Sequence, residues 1–338
     1  MLDADDKNLA RHEPADGIGD LVDGVVSAAN LPLTWDMAAH PGKPINVQTD
    51  FCLCGSGKLI IDCCFARISV KIPAQPAPYS HPKCYARDLG SCSTRISGEH
   101  YVSASIMKLI GPGGLHSSWH GKKLPIDAFR AKMLCKAHNE ALAGLDAAAE
   151  RLFSFIFAPW EESESSIHLI RGHDIERWLL KMLIGVVAGK VGPAADDRRA
   201  DWKPQRSWLE ILFGEKEIEA PCGLRIFTGK YIAQTKAFQF NVPQDKETGE
   251  PTFCAFEIGG IMLGLDVSGE FDDDRLKLSE SHFRPAFYQL HQGRAYREVD
   301  FGWPNGPSIF TKIEITSGLS DGKSVSPNKP CVHVRFRF

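Results

Sequence analysis

Seven of the ten cysteines lie between Cys52 and Cys135, one short stretch of a 338-residue chain. Thiols gathered at knuckle-like intervals in a reducing compartment are read as metal ligands, whereas Cys222, Cys254 and Cys331, which stand alone, are read as small core residues. No structural disulfide is expected. The ligands fall into two sets of four, Cys52, Cys54, Cys63 and Cys64, then Cys84, Cys92, Cys135 and His138. Each set supplies what a closed tetrahedral zinc site takes. Two such closures fix the local chain path before any apolar core is considered.

The first set sits in Phe51–Cys64, FCLCGSGKLIIDCC. A Cys-x-Cys turn presents two thiolates on one knuckle, its glycines let the backbone fold tightly beneath them, and a short run returns Cys63 and Cys64 to close the site. GSGK is not a phosphate loop, because Leu59 follows Lys58 where that motif has Ser or Thr. The pattern CxCGSGKxxxxCC resembles the SEC-C motif. That resemblance implies zinc and a docking role toward a protein partner, the ribosome or nucleic acid.

The second set encloses a different kind of residue. Glu99 and His100 precede the Cys135-x-x-His138-Asn139 cluster by about thirty-five residues. A carboxylate and an amide oxygen suit magnesium or manganese, and an unliganded imidazole beside them can activate a water for attack on phosphate. With the zinc set, the arrangement resembles the HNH nuclease family and its ββα-metal finger. By that resemblance His100 is the general base, and Glu99 and Asn139 are ligands of a catalytic Mg2+ or Mn2+. The likeness covers Cys84 to Asp146, with Ser103 where a proline often stands. His116 and His120, in the insert between the two halves, are secondary candidates for ligands or phosphate contacts and are more simply read as solvated. Asp146, two helical turns beyond Asn139, is a further candidate metal or hydrogen-bonding group and is read mainly as a surface charge.

The net charge of −3 hides an asymmetry: nine acidic against three basic residues from Met1 to Phe51, then twelve basic against five acidic from Cys52 to Glu140. A basic segment attracts a phosphate backbone, although zinc-bound thiolates offset part of the excess. At 43% hydrophobic and 24% charged, the composition is that of an ordinary globular protein. No apolar run spans a membrane and no signal peptide is visible, so the expectation is a cytoplasmic protein without a membrane partner.

The expected fold is α+β, in five parts: an N-terminal arm (1–50) with one short helical stretch around Gly19–Ala29, a zinc knuckle (51–66), a finger with a long helix (80–160), a helical linker region (161–206) and a β-rich domain (207–338). A proline-spaced connector, KIPAQPAPYSHPK, is expected to hold the two zinc units apart as a semi-rigid spacer. From His138 the apolar residues Leu142, Leu145, Ala149, Leu152, Phe153 and Ile156 recur at helical spacing. A second helix, GHDIERWLLKMLIGVVAGK, is capped by Asp174 and buries a stripe through Trp178 and Met182, leaving Glu176, Arg177 and Lys181 on its charged faces. Beyond Ser207, short alternating runs between Gly, Pro and Asn clusters predict strands, including the terminal CVHVRFRF. HFRPAFYQLHQGRAYR reads as a solvated sheet face, with base stacking by its aromatics as the functional alternative.

Two functions follow: a metal-dependent endonuclease acting on nucleic acid, DNA by analogy with the family, or a non-catalytic zinc-stabilised module binding nucleic acid or protein. Both require two zinc ions per chain. Elemental analysis of protein purified without added metal is expected to give two; a value near one removes the finger and a value near zero removes both sites.

Overall fold

The computed structural model describes residues 49–52, 56–111, 115–117, 122–159, 165–190, 202–227, 238–245, 247–258, 261–271, 281–292, 295–303, 311–317 and 330–336. The arm at 1–48, with its expected helical stretch, lies outside them. All described residues belong to one compact unit, Val47–Phe338, and its fold is mixed α and β.

The chain runs β1 (Ile96–His100), α1 (Ala104–Ile110), β2 (Leu115–Ser117), β3 (Lys122–Leu124), β4 (Arg130–Cys135), α2 (Lys136–Ala141), α3 (Ala143–Phe157), β5 (Ser165–Arg171), α4 (Gly172–Ala188) and α5 (Arg206–Leu212). Nine strands follow: β6 (Gly223–Phe227), β7 (Phe238–Asn241), β8 (Phe253–Ile258), β9 (Ile261–Asp266), β10 (Ser281–Phe283), β11 (Phe287–Gln292), β12 (Ala295–Gly302), β13 (Thr311–Ser317) and β14 (Pro330–Phe336). β1 and β4 form an antiparallel pair, with Ile96 opposite Cys135 and His100 opposite Arg130. One five-stranded sheet, β10-β6-β9-β8-β7, is antiparallel throughout. The other, β14-β13-β11-β12-β5, is mixed, with β5 parallel to β12 and β11 parallel to β13.

Strand β5 corrects the reading of 161–206 as a helical linker. Ser165–Arg171 joins the C-terminal sheet with each residue 131 positions ahead of its partner in β12, as in Ser165 and Tyr296, and its period-two alternation is too short to stand out before a strong helix. The helix expected from His138 is two helices. At Leu142 the backbone tightens, with Leu142 N–H bonding Asn139 O at 3.1 Å and Leu145 N–H bonding Leu142 O at 3.0 Å. The i to i+3 pattern is that of a 3-10 turn.

Helix α4 lies at the centre, against α3, α5, β5, β6 and β9. Every residue from Gly172 to Val187 is buried, so its charges do not face solvent as expected. Each has a counter-group. Glu176 Oε1 accepts from Arg284 Nε at 2.8 Å and from Leu224 N–H at 2.8 Å, while its Oε2 lies 2.8 Å from His173 Nδ1. Gly223 makes this possible, because a Cβ there would stand 2.6 Å from Glu176 Oε1. Arg177 pairs with Asp174 and donates to Ile68 O at 2.8 Å. Asp174 is therefore no cap: the N-cap is Arg171, and the Asp174 Oδ2 accepts from Ile68 N–H at 3.2 Å.

These bonds also tie down the residues just ahead of the connector, where Ile68 and Val70 pack on the core and Arg67 reaches Gly214 O at 2.7 Å, and of the connector's own first residues Ile72 packs there too. The segment HFRPAFYQLHQGRAYR is likewise turned inward, since His282, Arg284, Tyr288, Gln289 and Arg297 are buried. Arg297 donates to Ile156 O at 3.0 Å, Ala158 O at 2.6 Å and Pro159 O at 2.5 Å. It closes the C-terminal carbonyls of α3, which have no partners within their own helix.

Removing one member of a buried charged network leaves the others desolvated and uncompensated. Glu176→Ala is expected to cost about 3–5 kcal/mol, more than an ordinary surface change. Urea denaturation of both proteins measures it, and a loss within that of an exposed control such as Glu247→Ala would contradict the assignment.

Candidate metal centres and the Glu99 cluster

Cys84, Cys92, Cys135 and His138 come together, with all four ligand atoms within 4.8 Å of one another and all four residues buried. His138 Nδ1 lies 3.0 Å from Cys135 Sγ, 3.6 Å from Cys84 Sγ and 3.7 Å from Cys92 Sγ. A zinc tetrahedron with bonds of about 2.0 Å to nitrogen and 2.3 Å to sulfur has edges of roughly 3.5–3.8 Å, so the donor set is compatible with zinc.

Local structure explains each position. Cys135 ends β4 and begins α2, which carries His138 one turn on. Cys84 is fixed by its N–H on His81 O at 2.9 Å, and Tyr85 N–H bonds Met133 O in β4 at 3.0 Å. The seven residues between Cys84 and Cys92 are used by a 3-10 turn at Arg87–Leu89 and then by two residues of positive φ, Gly90 at 76° and Ser91 at 54°, which reverse the chain. Cys92 N–H then closes on Tyr79 O at 3.1 Å.

Electrostatics favour a cation here. Burial pushes the Cys84 thiol far up, with Cys135 and Cys92 adding to it, and burial pushes Cys92 up as well. Cys135 is also raised by burial, but hydrogen bonds from the His138 and Ser93 backbone outweigh that and bring it below the ordinary thiol value. Burial lowers His138 to about 4, so it is the neutral, ligating form at pH 7. Three adjacent thiols do not ionise together without a metal to hold the charge.

In the first cluster, Cys52, Cys63 and Cys64 lie with their sulfurs within 4.8 Å of one another; Cys54 lies outside the described residues. Cys52 N–H bonds Lys58 O at 2.7 Å, Ile60 N–H bonds Asp50 O at 3.0 Å, and the 3-10 turn Ile60–Asp62 delivers the two later cysteines. Beneath them Ile60, Phe65 and Leu169 form a small core of their own.

Glu99, His100 and Asn139 stand outside both clusters and meet three different neighbours. Glu99 is buried, with Oε1 2.6 Å from the Nζ of Lys181. Burial raises its pKa and the Lys181 ammonium draws it part of the way back. Asn139 Nδ2 donates to Ser97 Oγ at 2.8 Å. The β1–β4 register shifts between Ser97 and Glu99, so simple alternation does not carry the face that Asn139 meets at Ser97 on to Glu99, which points to one side of the hairpin. His100 takes the other side, with Nε2 3.7 Å from Asp127 Oδ1. That nitrogen is buried and makes no hydrogen bond. Burial, with Arg130 and Lys181 assisting against Asp127, lowers its pKa. The side chains of His116 and His120 lie outside the described residues.

Sequence reasoning missed the partners of Glu99. Lys181 Nζ is also 2.5 Å from Asp146 Oδ2, the Asp146 Oδ1 accepts from Ser103 Oγ at 2.5 Å, and Ser103 Oγ accepts from Trp178 Nε1 at 2.8 Å. Asp146 is thus part of a network and not simply a surface charge. A signal was available in α4: from Trp178 to Val187 every residue but Lys181 is uncharged, and a lysine in so apolar a run needs an anionic partner when the helix is buried.

Comparison of the chain with protein-family models, with curated proteins and with solved structures found no match. Among the described residues no helix is long and apolar enough to cross a membrane.

Because Cys135 and His138 belong to one cluster only, Cys135→Ser is expected to halve the bound zinc and destabilise the β1–β4 hairpin while the first cluster keeps its metal. Zinc content per chain checks this, and loss of all metal or of none would contradict it.

Proposed function

We propose that residues 80–160 form an HNH-like endonuclease unit that hydrolyses phosphodiester bonds of nucleic acid, DNA by analogy with that family. The observation that carries this reading is the hairpin of β1 and β4 followed by α2: Cys135 and His138 join Cys84 and Cys92 in one cluster, and Glu99, His100 and Asn139 stand on the same three short elements outside it. A divalent ion held by Glu99 and Asn139 would supply Lewis-acid stabilisation of the charge developing on phosphate. His100 takes the proton of the attacking water. The exposed side chains of Arg130, Lys132 and Lys136 on β4 and α2 offer positive charge to the backbone of the nucleic acid. The Cys52–Cys64 knuckle, a SEC-C-like unit in this reading, serves as a docking element for a protein partner, and its Phe51, 70% exposed, offers an apolar contact.

One observation favours the second reading, a non-catalytic zinc-stabilised module that binds nucleic acid or protein: the Glu99 carboxylate already holds a lysine at 2.6 Å. Cleavage of duplex and single-stranded nucleic acid with added Mg2+ or Mn2+ separates the two. For a nuclease, His100→Ala lowers the rate by about two to four orders of magnitude with zinc content unchanged. Because the imidazole pKa is lowered, the base form persists to lower pH, and the acid limb of the wild-type rate profile is expected below the ordinary histidine value. Wild-type protein that binds nucleic acid without divalent-dependent cleavage leaves the second reading.

A further inference from the structure

The Lys181 ammonium lies between two carboxylates that come from different elements. Glu99 Oε1 on β1 is 2.6 Å away and Asp146 Oδ2 on α3 is 2.5 Å away. Burial opposes the lysine's charge, but the two carboxylates outweigh it, and the pKa is raised. The site is therefore one in which two carboxylates, Glu99 buried and Asp146 partly exposed, already hold a cation tethered to the protein.

We propose that the Lys181 ammonium competes with a divalent metal ion for the Glu99–Asp146 carboxylates and so sets the metal affinity of the chain. The inference refines the ligand role given to Glu99 above, but it concerns binding and not cleavage. Three features support it. First, the receiving carboxylates are preorganised: Asp146 is fixed through its other oxygen by Ser103 Oγ at 2.5 Å, itself held by Trp178 Nε1 at 2.8 Å. Second, polar capacity is left over around them. The Tyr85 hydroxyl is buried without a hydrogen-bond partner, within electrostatic reach of both Glu99 and Asp146. Third, an ion has a way in, because the Asp146 side chain is 31% exposed while Lys181 is 4% exposed. A divalent ion brings twice the charge of an ammonium to the same oxygens, yet it must displace a lysine whose local concentration is fixed by α4. Apparent affinity is reduced by the fraction of molecules in which the lysine is out of the way.

The test uses the full-length, zinc-loaded protein and Mn2+ as probe, with binding followed by electron paramagnetic resonance. Lys181→Met and Lys181→Gln are expected to bind one Mn2+ about tenfold or more tightly than wild type, with zinc content unchanged. The combined Lys181→Met and Glu99→Gln variant is expected to lose that gain. Equal or weaker Mn2+ binding in zinc-retaining single variants overturns the proposal, as does a gain that survives Glu99→Gln. If both single variants lose zinc, wild-type protein labelled with 15N in lysine decides: millimolar Mg2+ is expected to shift or remove the protected Lys181 ammonium resonance, and an unmoved resonance overturns the proposal. A gain in Mn2+ affinity without nucleic-acid cleavage leaves this inference standing and sinks only the nuclease reading.

Discussion

A helix enclosed on every side can carry charge only where each charge is met, and α4 carries several. Glu176 binds Arg284, His173 and the Leu224 amide, Asp174 binds Arg177, and Lys181 binds Glu99 and Asp146. The partners come from β1, α3, β6 and the turn between β10 and β11. Such pairs add little net stability over apolar packing, but a wrong arrangement leaves a buried charge unpaired, which is costly. The network therefore acts as a register mark that lets the two sheets and the hairpin approach α4 in one way. Arg284 illustrates the demand, since it holds a φ of 41° while its guanidinium satisfies Glu176 and Ile218 O.

The two cysteine clusters do for short segments what α4 does for the whole unit. The knuckle and the loop from Cys84 to Cys92 are short and carry little regular structure, and in each the cysteine sulfurs gather into a set compatible with a metal. The division of labour is visible in the packing. The second cluster merges into the main core through Cys84, Cys92 and Cys135, whereas the first keeps a separate core with Ile60, Phe65 and Leu169.

What was legible in the sequence is what local spacing determines. The ligand sets were legible because the Cys-x-x-His step places its residues one helical turn apart, as were the stripes of α3 and α4 and most of the later strands. The electrostatic partners were not. Lys181 and Glu99 stand 82 positions apart, and Glu176 meets Arg284 across 108; neither pattern leaves a local trace. The same limit applies to Arg297, whose aromatic surroundings suggested an outward basic patch while its guanidinium closes the end of α3. β5 was hidden for a related reason, because its identity as a strand is conferred by β12, far along the chain.

The seating of the first knuckle has a consequence for how the protein would fail. Phe65 fits over Gly302, where a Cβ would stand 1.3 Å from its ring, and beside Ile167 and Leu169 of β5. β5 is the last strand of its sheet, with one side chain row turned to the knuckle and Ile170 turned to the main core. If the first cluster holds a metal, loss of that ion alone would loosen that lid without touching the main core, which keeps its own cysteine cluster. An apolar row on the face of β5 would then be uncovered beside an edge that has no further strand among the described residues, and the two together offer a surface on which like chains add to one another. Loss of an ion from that cluster alone would accordingly appear as self-association of a largely folded protein rather than as unfolding.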